Sequence, residues 1–457
     1  MQIGARLLKA LSGGRTFRHG IHPPEAKDAT KDLPIRQFPF APSLAVPLSQ
    51  HIGKAALACV RQGQEVTRGE TIAKADGWMS VDMHAPVSGT IRRIGLMPTI
   101  AGRMMDGIFI EPFPGSTQEV AAGPECDWRT ASRDEILKAI QSAGVVGLGG
   151  AGFPTHVKLA VPDSKPIDTL VLNGAECEPW LTTDHRVMLE QQADIFTGIR
   201  YVLKVTGASR CVIGVEANKA DAADSLREAL AAPQYADLPV TVDVMAVKYP
   251  QGAEKMLIKS VLGREVPSRA LPLDVGVVVI NVATTAEIGR LLPWGRGIQE
   301  RVITVSGPGV RDKGNYRIAI GTTLRFLLDT VGTTGDVSRV FMGGPMMGPT
   351  ASSLDIPITK GTSGIVVLTE AETGPQQQTK THPCIRCGYC LDACPLFLNP
   401  AELGTLAAAG EFQRMADERN LYDCFECGSC TFVCPSNIPL VQRFRVAKAT
   451  LRRRGTP

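Results

Sequence analysis

Eight cysteines near the C-terminus fall into two copies of one spacing: Cys384, Cys387, Cys390 and Cys394 before Pro395, then Cys424, Cys427, Cys430 and Cys434 before Pro435. Each copy reads C-x2-C-x2-C-x3-C-P. A cubane iron-sulfur cluster needs a thiolate at each corner, and three cysteines on a tight loop reach three irons. Where two clusters share a fold, the fourth cysteine of each run ligates the other cluster. The spacing therefore predicts one [4Fe-4S] centre on Cys384, Cys387, Cys390 and Cys434. A second is expected on Cys424, Cys427, Cys430 and Cys394. Two zinc sites or a disulfide framework are the alternatives. Structural zinc favours two spaced pairs of ligands, however, and disulfide frameworks belong to small secreted domains.

A second constellation is Gly147-Leu-Gly-Gly-Ala-Gly-Phe-Pro-Thr-His-Val-Lys158. Gly147, Gly149 and Gly152 satisfy G-x-G-x-x-G, but a helix, not a strand, is expected before the loop, and Phe153-Pro154 interrupts the helix that would have to open within it. A Rossmann turn is therefore not predicted. These glycines, with Gly144 and Gly150, let the backbone turn tightly and bring N–H groups against an anion or a flat ring. Lys158 supplies a cation for a phosphate. The plainer alternative is a flexible loop with a surface lysine.

The rest of the chain must position these groups. At 457 residues it is long enough for about three domains. With 49 basic and 45 acidic residues, it does not have the charge of a nucleic-acid binder. Residues Met1–Ala10 place charges where a signal peptide would be apolar, and twelve cysteines then fit a reducing cytosol. No apolar run reaches the roughly 18 residues of a membrane span, so membrane attachment is expected through partners.

Residues 1–40, rich in proline and charge, read as an arm lying over other structure. Residues 41–126 carry short, glycine-punctuated strands and resemble the barrel-sandwich hybrid of biotinyl and lipoyl carriers. The tip Ala75–His84 has no lysine, so a structural or docking role is expected. Residues 127–295 alternate helix and strand as an α/β layer, with a capping-box helix start at Ser132–Glu135 and apolar strands near 169–172, 211–215, 240–247 and 275–282. Helices are expected near 184–205, 221–231 and 254–262. Residues 296–368 form a third unit, with strands at 301–307 and 314–320, a helix at 322–331, and core-filling methionines in 340–348. Residues 369–381 read as a polar linker, and 382–457 as an all-α two-cluster module with a basic tail, either a solvated helix end or a contact for anionic lipid or an acidic partner. Cys59, Cys126, Cys177 and Cys211 are expected to be buried small hydrophobes.

The glycine loop resembles the flavin mononucleotide loop of the NADH-oxidising flavoprotein subunit of respiratory complex I. Asn173-Gly-Ala-Glu-Cys-Glu-Pro179, Tyr249-Pro-Gln-Gly-Ala-Glu-Lys255 and Ile280-Asn-Val-Ala-Thr284 come in that family's order. The resemblance implies flavin contacts at Asn173, Glu176 and Asn281, with Tyr249, Gly252 and Thr284 in the same cofactor-binding blocks. It implies nicotinamide contacts at Glu178 and Glu254, with Phe153 near the stacked rings. Leu148, Ala175 and Ile280 depart from the complex I pattern. His156 is expected to stabilise the loop by a hydrogen bond.

The order of domains, ending in twin cluster motifs, resembles the C subunit of the Rnf electron-transport complex. That resemblance implies a β-grasp fold, like the soluble-ligand-binding domain, for the third unit. The implied fold class is multidomain α/β plus β: barrel-sandwich hybrid, α/β flavin domain, β-grasp domain and helical ferredoxin-like domain. It further implies oxidation of NADH through FMN, two [4Fe-4S] clusters, and single-electron transfer to a ferredoxin-like subunit, ferredoxin or flavodoxin. The setting would be a peripheral position on the cytoplasmic side of a bacterial inner membrane. Nicotinamides give electrons in pairs and clusters take them singly; flavin can do both. The alternatives are a cobalamin reductase of bacterial microcompartments and a flavin-free iron-sulfur relay.

Overall fold

A computed structural model describes residues 14–373 and 380–455. The apolar runs of the second unit become a parallel sheet of strands Thr169–Gly174, Arg210–Glu216, Val240–Met245 and Val277–Asn281. Alternate residues feed two cores. Leu170 and Leu172 pack with Ile195 and Phe196, while Val171 packs with Leu257 and Ile258 on the opposite face. Burial on both faces explains why these strands read as nearly continuous apolar runs.

In space the 169–174 strand lies between the 210–216 and 277–281 strands. The chain winds outward to one side and then crosses back to the other, creating a switch point at the carboxyl ends of 169–174 and 277–281. Open α/β sheets bind ligands in such a crevice. The capping box at Ser132 is present, and Glu254–Leu262 is a helix. The expected 184–205 helix is two, Thr183–Glu190 and Gln192–Thr206, broken where Gln191 leaves helical geometry. Helix Gln192–Thr206 packs so closely on Val282–Leu291 that a Cβ on Gly289 would lie 1.9 Å from the Asp194 carbonyl oxygen.

The N-terminal unit has a four-stranded and a three-stranded antiparallel sheet. Its carrier-like tip is docked on the α/β unit: Gln141 Nε2 donates to the Gly77 and Ser80 carbonyls, and the Ile52 amide donates to the Gly152 carbonyl. The third unit is a five-stranded sheet around helix Leu324–Val331. Three of its strands, Ile35–Gln37 from the arm, Val337–Met342 and Gly364–Thr369, are not expected from sequence. The C-terminal module is helical from Tyr389–Ala393 to Leu440–Arg453.

Several expectations change. Thr369 ends a strand and Glu370–Thr373 is helical, so polar linker character does not begin at 369; residues 374–379 and Met1–Ala10 lie outside the described residues. Cys59 is exposed and Cys126 and Cys177 are half-buried, so of the four cysteines outside the cluster runs only Cys211 is a buried core residue. Met342 is core, but Met346 is half-buried and Met347 exposed, since their loop turns towards the cluster module. Lys448 is buried, where it donates to the Cys424 carbonyl and to Glu426, so the basic C-terminal helix has a packed side as well as a solvated one.

Candidate redox site

Asn173 and Asn281 stand at the ends of the two strands that flank the switch point. Asn173 Nδ2 donates to the Gly252 carbonyl at 2.8 Å. Asn281 Oδ1 caps the Val282–Leu291 helix through the Ala283 and Thr284 amides, and its Nδ2 donates to Asp184 Oδ2 at 2.7 Å. Burial, with Glu176 nearby, pushes the Asp184 carboxyl above its ordinary range.

The glycine loop lies across this helix start. The Leu148 amide donates to Thr284 Oγ1, while the Leu148 carbonyl accepts from the buried Arg301 guanidinium. A Cβ on Gly149 would come 3.4 Å from Asn281 Nδ2. Gly150 has φ +106° and open space where a Cβ would stand, so it leaves a bare backbone ledge above the crevice. The Thr155 hydroxyl and His156 Nδ1 close the loop as buried polar atoms without protein partners. His156 Nε2 bonds the Trp78 carbonyl at 2.8 Å, in the loop-stabilising role expected for it. Lys158 pairs with Glu254, and both remain partly exposed. Gly147 and Phe153 bond through their backbones, which closes the loop on itself. The turn through Gly149 and Gly150, open where a Gly150 Cβ would stand and with Lys158 at the loop's end, fits a flat ring bearing a phosphate tail.

The two glutamates of the 173–179 block are directed elsewhere. Glu176 accepts from the Asp184 and His185 amides at 2.7 and 3.2 Å, capping the Thr183–Glu190 helix. Glu178 accepts from the Met346 and Met347 amides at 3.1 and 2.9 Å, and burial raises its carboxyl to about 7. Sequence reading missed the groups beneath them. Buried Lys27 of the arm donates to the carbonyls of Glu176, Glu178 and Leu181, and buried Lys219 donates to that of Ala175. Glu176 and Trp180 sit at positive φ on this loop, a strained path that the two ammonium groups hold from below.

In the helical module the thiols sort into two rings. Cys384, Cys387, Cys390 and Cys434 line one cavity of about 260 Å³. Cys394, Cys424, Cys427 and Cys430 line a tighter one of about 20 Å³. Each ring thus brings three cysteines of one run together with the fourth of the other. Both loops repeat one winding: Arg386 and Gly388 in the first, Glu426 and Gly428 in the second, all at positive φ. Among the described residues no three His, Cys, Asp or Glu side chains are grouped to hold a single metal ion. Thiols spaced around a cavity suit a multi-iron cluster.

The second ring faces the α/β unit. Tyr249, buried and preceding a cis peptide to Pro250, donates its hydroxyl to the Cys427 carbonyl at 2.6 Å. Ser268 Oγ and the Arg269 amide both donate to Asp423, next to Cys424. Met346 lies against Gly428, and His19 of the arm bonds the Asp392 carbonyl. Tyr249, expected from its block near the cofactor, thus presents its hydroxyl to the cluster module. The first ring is outermost: Cys384 and Cys387 are exposed, as are neighbouring Ile385, Tyr389 and Leu391.

Comparison with known proteins agrees with this layout. Residues 15–113 match the RnfC barrel sandwich hybrid domain, 140–290 the Nuo51 FMN-binding domain, and 380–438 a 4Fe-4S dicluster domain. The α/β unit and the helical module are thus an FMN-binding domain and a [4Fe-4S] dicluster domain. The fold resembles an NAD+-reducing [NiFe]-hydrogenase chain in the H2-reduced state, with TM-score 0.51 and 20% identity over 75% of this chain and 74% of that one. The C subunit of the proton-translocating ferredoxin:NAD(+) oxidoreductase complex of Clostridium ljungdahlii is 40% identical, over 96% of this chain and 95% of its own length. Its Na(+)-translocating counterpart from Acetobacterium woodii is 38% identical over 96% and 98%. The C subunit of the ion-translocating oxidoreductase complex of Rhodobacter capsulatus is 38% identical over 96% and 84%. With shared sequence along nearly the whole of both chains, this protein belongs to the family of C subunits of Rnf-type ion-translocating oxidoreductase complexes.

Proposed function

We propose that the chain is the NADH-oxidising, electron-distributing subunit of an ion-translocating membrane complex. Among the described residues no helix is long and apolar enough to cross a membrane. In this reading the ion path belongs to partner subunits, which hold the chain at the cytoplasmic face. Bound FMN would take electrons from NADH in pairs and release them singly. The Gly147–Lys158 loop, Asn173 and Asn281 would hold it, with Lys158 on the phosphate. Glu254, paired with that lysine, would face the nicotinamide.

The observation that carries the reading is the hydrogen bond from Tyr249 to Cys427, which joins the flavin domain to one thiol ring and not the other. It supports a relay order: the Cys394/Cys424/Cys427/Cys430 cluster first, then the Cys384/Cys387/Cys390/Cys434 cluster. The exposed Ile385, Tyr389 and Leu391 would then meet a ferredoxin-like acceptor. Apolar contact around an outward redox centre suits a transient electron-transfer partner.

The test is the order of filling. With NADH as donor, Cys434→Ala should leave the inner cluster reducible, whereas Cys394→Ala should keep flavin bleaching and leave the outer cluster oxidised. Reduction of the outer cluster at wild-type rate in Cys394→Ala would reverse the order.

A further inference from the structure

The segment 249–254 touches both halves of the relay. At one end Tyr249 bonds the Cys427 carbonyl. Three residues on, the Gly252 carbonyl accepts from Asn173, and its amide donates to Cys177 Sγ at 3.3 Å. At the far end Glu254 pairs with Lys158. Tyr249 packs with Ile21 and Ala393 in a small core that Cys177, Met346, Cys427 and Val433 flank. One short loop thus connects the groups assigned to the flavin with a ligand of the nearer cluster.

We infer that Tyr249 is a positioning residue for electron transfer: its hydroxyl locks the Cys427 loop against the flavin domain and so fixes the separation of the two redox centres. This inference rests on the function proposed above. Tyr249 exchanges neither electron nor proton in this role; it sets the gap that single electrons cross from the flavin side to the cluster side. The phenol is suited to this, because Tyr249 is buried and its hydroxyl donates straight to that carbonyl. Its hydrogen bond satisfies a peptide carbonyl and leaves the thiolate free for iron. The docking is reinforced by Asp423, which accepts from Ser268 and the Arg269 amide.

The experiment uses the full chain carrying flavin and clusters. Removing one buried hydrogen bond through Tyr249→Phe should speed amide exchange in residues 424–430 about fivefold. It should also lengthen the lag between flavin bleaching and the paramagnetic signal of the reduced inner cluster, with iron and flavin contents measured on the same sample. If that variant does not fold, Asp423→Ala removes the neighbouring contacts and should give the same two effects. Faster exchange with an unchanged lag would make the tyrosine a packing contact only and overturn the inference, as would no change in either. Failure of NADH to bleach flavin in the unsubstituted protein would instead overturn the function on which the inference rests.

Discussion

Asn173 and Asn281 stand directly opposite one another at the carboxyl ends of adjacent parallel strands. Each amide is already committed on one side, Asn173 to the Gly252 carbonyl and Asn281 to a helix cap and Asp184. The crevice is therefore held before any ligand arrives, which lowers the ordering cost of binding. Asn281→Ala should lower stability by about 1 kcal/mol through loss of the cap and reduce flavin content. Asn281→Asp should keep the cap yet still lose flavin, because its second oxygen would face Asp184. Thermal unfolding and flavin absorbance on the same preparations check both.

Lys158 is bound to Glu254 by a partly exposed ion pair, an interaction worth little to stability. The ammonium is therefore available to a phosphate at small cost. Lys158→Ala should weaken FMN affinity about tenfold or more with iron content unchanged, whereas Glu254→Gln should not weaken it. Joint loss of flavin and iron in Lys158→Ala would make the lysine structural.

The crossed thiol rings predict which cluster each fourth cysteine serves. Cys434→Ala should empty the ring containing Cys384, removing about four of eight irons per chain, and Cys394→Ala should empty the ring containing Cys427. Iron analysis with paramagnetic spectra distinguishes the two. Loss of the Cys427 signal in Cys434→Ala would mean that the fourth ligands are not exchanged.

Lys360 pins three domains together: its Nζ donates to the Asp82 and Gly144 carbonyls at 2.8 and 2.9 Å, and its amide to Gln50. Burial lowers its pKa from 10.5 to about 7, and a neutral amine has two N–H bonds for those two carbonyls. Between pH 7 and 10.5 the unfolded chain holds a proton on this lysine that the folded chain does not. Its contribution to stability therefore grows as pH rises through that window, by at most about 1.4 kcal/mol per unit. Unfolding free energies at pH 7 and 9 should show an increment that Lys360→Met abolishes.

The sequence is legible where a signal is carried locally by spacing. The C-x2-C-x2-C-x3-C-P runs, the Ser132 cap, the apolar strands and the glycine loop each fit within a dozen residues. The contacts that join domains do not. Nothing near Lys27 marks it as an anchor for carbonyls some 150 positions away, and the Tyr249 block resembles a cofactor loop although its hydroxyl reaches Cys427. The Glu176 and Glu178 carboxylates illustrate the same limit. Their motif points to a nucleotide, but their oxygens are taken by backbone amides at Asp184 and Met346. Long-range pairs form because buried polar groups must find partners wherever the fold brings them.

Anaerobic titration of the full chain with NADH, monitored by flavin absorbance and cluster paramagnetic resonance, bears most directly on the conversion of paired to single electrons. The account predicts that the flavin bleaches and both iron centres become reduced. Preparations with all eight cysteines and their irons intact that hold no flavin, or whose irons stay oxidised under NADH, would contradict it.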